Sequence, residues 1–265
     1  MELKGHSDSV LEVKFFNKNN NSNNSSLDEN LLISCGADKK IKLWDLRTNK
    51  SINSEKSKTG CKNLKISPNG SEFAFSSKDD DIINFFDMRK FQLIKSTEFK
   101  DKINDFEYEK TNQYFFVVSS KGNLMIYENT KTDYNPSTVI EVSQNNSLNS
   151  IKIEEYNSIF ATGGEDGIIL IWDMEELTSY KLIKKSDMPI RKLAFSHDSK
   201  LISATYEGPN IDIFDRENCE NVFTVYTENQ IYSHCWNPNG YILAFSGLDK
   251  SKTTNEEGGI NIISV

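Results

Sequence analysis

Arginine is scarce in this sequence. Only Arg47, Arg89, Arg191 and Arg216 occur among 265 residues, so nearly all of the 31 basic side chains are lysines. The formal net charge is −8, and no segment is rich in lysine and arginine. Proteins that grip nucleic acid on their own usually carry a basic face with many arginines. The composition therefore argues against nucleic-acid binding as the primary function.

Long apolar runs are also missing. No stretch of 18 apolar residues occurs, which argues against a transmembrane helix. The first six residues, Met-Glu-Leu-Lys-Gly-His, lack the hydrophobic region of a signal peptide. From these two absences we expect neither a membrane span nor a secretory leader.

Cysteine is sparse and shows no motif. The four cysteines, Cys35, Cys61, Cys219 and Cys235, include no CxxC pair. Three of them lie in predicted strands. We therefore predict buried thiols in a reducing compartment.

Spaced metal ligands are equally absent. Asp79–Asp81 lie in an expected hairpin turn with no matching ligands, and neither His197 nor His234 has a companion at a typical zinc spacing. The glycine-rich stretch at 163–167 joins two predicted strands and precedes no helix, unlike a phosphate loop. We predict no metal site, no cofactor and no enzyme.

What the chain does contain is a repeat that ends in Trp-Asp. Residues 41–46 read IKLWDL and residues 169–174 read ILIWDM, each with an aspartate six residues before the tryptophan. Weaker copies end at Phe86, Tyr127 and Phe214, so the five aromatic positions are 42, 41, 45 and 42 residues apart. This period, with its aspartate turn and Trp-Asp end, is typical of WD40 β-propeller blades.

Period-2 alternation of apolar residues places the strands. Inner strands are predicted to begin at 10, 61, 103, 148, 190 and 231. Short β-branched and aromatic runs form the second strands, and the aromatic repeat ends form the third, with residues 260–265 in the last unit. The predicted fold is an all-β WD40 β-propeller of six recognisable blades in a single domain, residues 1–265.

Two segments break the repeat. Residues 17–30 are Asn-rich and of low complexity, and we predict a disordered loop insert there. A second insert, residues 248–259, falls in the last unit, which shows no convincing fourth strand. Either residues 2–4 supply a short fourth strand for that unit, or a blade before residue 5 is absent. The resemblance given below is to a seven-bladed family and implies the absent first blade.

Four residues of the first blade match the positions of a buried hydrogen-bond chain in WD40 repeats. Trp44 is expected to donate to Ser34, Ser34 to His6, and His6 to Asp38. A His, Ser and Asp together could also suggest a hydrolase, but Trp44 and the repeat account for all three. The fourth blade keeps a partial set without a histidine: Thr162, Asp166 and Trp172.

Candidate partner-binding residues follow from the resemblance to WD40 folds. In that fold the residue before the turn aspartate and the residues opening the inner strand face one end of the propeller. Here these positions hold Lys62, Asp79, Lys102, Glu165, Arg191 and Glu207. Their mixed charge suits a protein partner better than a phosphate backbone, and Arg191 is expected to be the most sensitive.

Beyond the repeat itself, the chain resembles the WD40 subunits of the THO complex from Gly5 onward. The resemblance lies in residues 77–80 with 85–87, 112–116, 160–163 through 172–177, 188–191 with 195–198, and 236–238 with 243–245. It implies a nuclear, non-enzymatic scaffold within THO and the larger TREX assembly, supporting mRNA packaging and export. Its direct partners would be the large helical THO subunits, with RNA contacted mainly by neighbours.

Two other interpretations stay open from the sequence. The first is a WD40 adaptor of another complex, either a substrate receptor of a ubiquitin ligase or a histone-binding propeller; an Arg-rich face or helical extension would favour it, and neither is visible. The second is a direct RNA reader, which needs exposed aromatics beside lysine or arginine. Most aromatics here lie at core periods.

Overall fold

A computed structural model describes residues 3–16, 30–77, 79–129, 136–143, 146–154, 156, 158–228, 230–248 and 258–265. The described residues form 23 β-strands. These strands make five four-stranded sheets and one three-stranded sheet, each an antiparallel meander of consecutive strands. We call each sheet a blade. The predicted loop at 17–30 lies outside the described residues except for Asn30, as do residues 249–257 of the second insert.

The strands follow the chain in blade order. Blade 1 contains β1 (Val10–Phe15), β2 (Leu31–Gly36), β3 (Lys40–Asp45) and β4 (Lys50–Lys56); blade 2 contains β5 (Cys61–Ile66), β6 (Glu72–Ser77), β7 (Ile82–Asp87) and β8 (Gln92–Glu98). Blade 3 contains β9 (Ile103–Tyr108), β10 (Tyr114–Ser119), β11 (Asn123–Glu128) and β12 (Thr138–Glu141); blade 4 contains β13 (Leu148–Ile153), β14 (Ile159–Gly164), β15 (Ile168–Asp173) and β16 (Ser179–Lys184). Blade 5 contains β17 (Ile190–Phe195), β18 (Leu201–Tyr206), β19 (Asn210–Asp215) and β20 (Asn221–Tyr226); blade 6 contains β21 (Ile231–Trp236), β22 (Ile242–Leu248) and β23 (Gly258–Ser264).

The predicted strand positions are confirmed. All six inner strands begin at the predicted residues, and the last unit's third strand spans Gly258–Ser264, against the predicted 260–265. Blade 6 has three strands among the described residues, as the lack of a fourth-strand pattern indicated. The predicted and observed strand positions agree closely because side chains alternate between the two faces of an extended strand, so alternating apolar residues all lie on one buried face.

The chain divides into two compact units. One comprises Met1–Phe116 with Ile126–Thr138, and the other Val117–Met125 with Val139–Val265. The first unit holds a cluster of buried side chains from blades 1 and 2, among them Ile33, Ile41, Leu64, Phe73 and Phe75. The second holds two clusters, one centred on Ile171, Ile190 and Ile202 and one on Ile213, Ile231 and Leu243. Burying each such side chain contributes about 1.5–3 kcal/mol.

A β-bulge recurs at the start of the inner strands. In blades 1, 2, 4, 5 and 6 the pairing with the second strand skips the second residue of the inner strand. The skipped residues are Leu11, Lys62, Asn149, Arg191 and Tyr232. A bulge leaves one residue unpaired in the ladder and redirects its side chain. In each of these five blades the fold therefore places one side chain out of the regular alternation at the same position.

The prediction for the cysteines is wrong. Cys35 of β2 and Cys61 of β5 form a disulfide with a Cα–Cα distance of 5.9 Å, and Cys235 is exposed rather than buried. The sequence could not show this pairing because the two residues come from neighbouring blades. Packing β5 against β2 brings their side chains together inside the first unit.

Thiol titration checks this pairing. Denatured protein purified without reductant should show two reactive thiols, those of Cys219 and Cys235. The same protein should show four reactive thiols after reduction. The double variant Cys219→Ser/Cys235→Ser should show none before reduction and two after it. Four thiols in the untreated wild-type protein would contradict the assignment.

No helix among the described residues has the length and apolar character needed to cross a membrane.

Candidate partner-binding site

The structure brings the four tetrad residues of blade 1 together. Trp44 Nε1 donates to Ser34 Oγ over 2.8 Å, and His6 Nε2 lies 2.7 Å from the same oxygen. His6 Nδ1 is 2.9 Å from Asp38 Oδ1. Because a carboxylate only accepts, Nδ1 carries the proton and Nε2 accepts from the Ser34 hydroxyl. The hydrogen bonds thus run from Trp44 through Ser34 and His6 to Asp38.

This chain joins the loop before β1 to the β2–β3 turn. Asp38 also accepts from the backbone N–H groups of Ser7 and Lys40. Burial by itself raises the pKa of Asp38, but the hydrogen bonds from His6 and these two amides lower it overall. A lowered carboxyl pKa means that Asp38 stabilises the fold at neutral pH, and that this contribution is lost as the pH falls below about 3.8. Ser34 is 3% exposed, so it offers no accessible nucleophile.

Blade 4 keeps part of this arrangement. Trp172 Nε1 donates to Thr162 Oγ1 over 2.9 Å, as Trp44 does to Ser34. Asp166 accepts from the backbone of Ile168 at 3.1 Å and from Asn146 Nδ2 at 3.3 Å. These two hydrogen bonds show that the aspartate anchors its own turn. A cavity of about 210 Å³ is lined by Thr162, Asp166 and Asn146 among others.

A second tryptophan, serine and histidine set was missed by the sequence analysis. In blades 5 and 6, Trp236 Nε1 and His234 Nε2 lie 2.9 Å and 2.8 Å from Ser203 Oγ, which donates to Ala194 O at 3.1 Å. His234 is 8% exposed. Burial lowers its pKa to about 4, so the ring is neutral at pH 7. The sequence signal was the spacing of His234 and Trp236 on one strand face, but the partner serine lies in the preceding blade.

Two of the six candidate partner-binding residues occupy the recurrent bulge. Lys62 is the bulge residue of β5 and Arg191 that of β17. The Arg191 guanidinium lies 2.6 Å from Glu207 Oε1, and both side chains are about half exposed, at 49% and 46%. The structure thus brings Arg191 and Glu207 together as an accessible ion pair. The thioether of Met188, 48% exposed, lies beside Gly208 and adds an apolar element to this patch.

The other four candidates have surroundings of their own. In the first unit, Lys62 Nζ donates to Ile103 O at 3.1 Å and to Asn104 Oδ1 at 3.4 Å, so its ammonium is held at the start of β9. Lys102, which precedes β9, and Asp79, in the β6–β7 turn, are exposed. In the second unit, Glu165 is exposed in the β14–β15 turn, where its backbone N–H donates to Ser147 O.

Within the part of the chain that the structure describes, no group of three or more His, Cys, Asp or Glu side chains is arranged to hold a metal ion. The candidate partner-binding residues instead carry charges of both signs, and the exposed side chain of Met188 lies beside the Arg191–Glu207 pair. Such a surface can dock another macromolecule.

Six antiparallel blades, with a Trp–Ser–His–Asp set at the start of the chain, define a WD40 β-propeller. A family model of the WD domain, G-beta repeat, matches residues 1–45 and 136–173. The β-propeller domain of Cps50 (Swd1) from Myceliophteria thermophila superposes with a TM-score of 0.81. That match covers 99% of this chain and 86% of that one at 17% identity, and it shows the fold alone.

Among curated proteins, the chain is similar to THO complex subunit 3 of Arabidopsis thaliana. The two are 24% identical over 262 residues, which is 98% of this chain and 78% of that protein. The chain is also 26% identical to WD repeat-containing protein AAC3 of Dictyostelium discoideum, over 93% of this chain and 50% of that protein. The chain thus contains WD40 repeats and is similar to a THO subunit, and its fold is one that typically serves as a scaffold.

Proposed function

We propose that the protein is a non-enzymatic scaffold subunit of a nuclear THO-type complex that supports mRNA packaging and export by docking helical protein subunits. The observation that carries this proposal is the similarity to THO complex subunit 3 along 98% of the chain. A relation of this extent covers all six blades rather than one shared repeat.

The exposed surface supports a protein rather than a phosphate partner. Around Arg191, an arginine, a glutamate and a methionine lie together, and the arginine is already paired with Glu207. A nucleic-acid backbone would meet the carboxylate with repulsion. A helical protein surface can instead offer both an acid and a base to the pair, and apolar contact to Met188.

Affinity purification tests the assignment. The protein, tagged at its C-terminus and expressed in its own cells, should recover the large helical subunits of a THO-type complex. RNase treatment during purification should leave those proteins bound, because the contacts are between proteins. Recovery of ubiquitin-ligase or histone-modifying subunits without THO-type proteins would overturn the proposal.

We predict that Arg191→Glu weakens binding of the helical partner roughly 30-fold, because an interface arginine often contributes about 2 kcal/mol. The melting temperature should not change, since the side chain is half exposed. The charge-swapped variant Arg191→Glu/Glu207→Arg restores the internal ion pair with reversed polarity. If Arg191 contacts the partner, the swap will remain impaired. If the ion pair acts only within the blade and neither side chain contacts the partner, the swap will regain binding.

Two further variants calibrate this prediction. Arg89→Glu reverses an exposed arginine in the β7–β8 turn and should leave binding unchanged. Lys102→Glu, combined with Arg191→Glu, should deepen the loss. Wild-type affinity in that double variant would exclude both residues from the interface.

A further inference from the structure

The fourth strand of blade 5, which is its outer strand, differs from the fourth strands of blades 1 to 4. Outer strands β4, β8, β12 and β16 each carry at least one lysine or glutamate. Strand β20 reads Asn-Val-Phe-Thr-Val-Tyr and carries no charge. Charged side chains on an edge strand oppose pairing with a further strand, and their absence leaves the edge available.

The side chains of β20 are apolar and open to solvent. Val222, Phe223 and Tyr226 are 56%, 47% and 78% exposed. Val225, in contrast, is 8% exposed and belongs to the core cluster with Ile213 and Leu243. The strand is therefore fixed to its blade by one buried side chain and presents the others outward.

The backbone of β20 also has an open side. Blade 5 ends at this strand in the described sheet order. Thr227 N–H donates to Pro209 O, and the register pairs Val225 with Ile211 and Phe223 with Ile213. Hydrogen-bonded pairs alternate along an antiparallel ladder, so Thr224 and Tyr226 point their backbone N–H and C=O away from β19. These groups are suited to pair with one more strand.

Charge identifies the kind of strand that fits. Exposed carboxylates lie beyond both ends of the edge, Glu220 before it and Glu228 after it. In the middle, the Lys185 ammonium is neutralised by Asp212 at 2.6 Å. The edge is thus uncharged along its length and acidic at both ends, which favours a strand flanked by lysine or arginine.

The same charges disfavour a second copy of the chain as the occupant. An antiparallel pairing of two β20 strands centred on Thr224 would set Glu220 of one copy near Glu228 of the other, since each lies four residues from the centre. Like charges placed opposite each other destabilise a strand pair. Self-association through β20 would therefore bring two pairs of carboxylates together.

We propose that β20 docks an extended segment of a partner protein, with alternating apolar residues and a basic residue at each end, as a fifth strand of blade 5. Main-chain hydrogen bonds to Thr224 and Tyr226 supply affinity, and the flanking charges select the segment. This inference goes beyond the scaffold role proposed above and does not depend on which complex the protein joins. Its failure would leave the THO-type assignment standing.

Designed peptides test the proposal on the whole chain. The probe is a fluorescein-labelled peptide, Lys-Thr-Val-Thr-Val-Thr-Val-Thr-Lys, and its counterpart carries glutamate at both ends. Fluorescence anisotropy should show the lysine peptide binding at least tenfold more tightly at low salt, and the difference should shrink as salt rises. Equal binding of the two peptides would overturn the charge selection.

Variants of the protein locate the site. Val222→Lys/Tyr226→Lys should weaken binding of the lysine peptide at least tenfold, whereas Leu93→Lys/Ile94→Lys on β8, at 54% and 52% exposure, should not. Glu220→Lys/Glu228→Lys should reverse the preference in favour of the glutamate peptide. Retained lysine preference in this last variant would overturn the proposal.

Hydrogen exchange provides a measurement that needs no variant. The amides of Thr224 and Tyr226 should exchange readily in the free protein and become protected when the lysine peptide is bound. The Val225 amide, which faces β19, should be protected in both states. Binding without new protection at residues 224 and 226 would place the peptide elsewhere and refute strand addition.

Discussion

Replacing Trp44 by alanine is expected to lower the free energy of unfolding by about 3–5 kcal/mol. Trp44 is 2% exposed, so its removal leaves a cavity the size of an indole. The position also fits the ring closely: a Cβ at Gly5 would lie 3.0 Å from the Trp44 ring. The cost of this cavity adds to the cost of losing the indole N–H donor, because Ser34 Oγ then keeps only its hydrogen bond with His6.

Denaturant unfolding of three further variants separates these contributions. Trp44→Phe keeps most of the volume but loses the donor, and should cost about 1–3 kcal/mol. His6→Ala and Asp38→Ala should each fall in the same range, because each leaves a buried partner unsatisfied. If all four variants unfold at the wild-type denaturant concentration, the hydrogen-bond chain does not stabilise blade 1.

A double-mutant cycle checks that the four residues act as one set. Trp44→Phe and His6→Ala share Ser34 as partner, so their combined cost should differ from the sum of the single costs. Trp44→Phe and His234→Ala lie in different units and should add. Additivity in both pairs would show that Ser34 does not link Trp44 to His6.

The spacing of apolar residues in the sequence predicted the positions of the inner strands well. Apolar alternation such as Ile103, Phe106 and Tyr108 occurs where one face of an inner strand is buried, and each of these residues is at most 4% exposed. Outer strands could not be placed in the same way. Residues of β4 are exposed throughout, so no burial constrains their pattern.

The functional residues were only partly predictable. The Trp44 set was visible because all four members lie within one repeat, at repeat positions. The Ser203, His234 and Trp236 set was not, because its serine and its tryptophan belong to different blades, 33 residues apart. Likewise, Arg191 pairs with Glu207 from a bulge in β17, and the residue types do not predict the position of that bulge.

Strand β23 of blade 6 combines the features of an associating edge. Ile260 and Ile262 are 78% and 70% exposed. In the other five blades the residues at these two positions of the third strand are at most 5% exposed: Ile41, Ile83, Leu124, Ile169 and Ile211, and Leu43, Phe85, Ile126, Ile171 and Ile213. Gly258–Ser264 also carries no charge, and in the described sheet it pairs on one side only.

The isolated 1–265 chain is therefore expected to self-associate through this edge, because a long, uncharged apolar strand with free backbone groups favours pairing between molecules. Sedimentation velocity over a range of concentrations should show species larger than the monomer. Ile260→Lys/Ile262→Lys should raise the concentration needed for association at least tenfold without lowering the melting temperature, since both side chains are already in water. Ile52→Lys, which changes a half-exposed isoleucine on β4, should have no such effect. A wild-type chain that stays monomeric at high concentration would contradict the prediction.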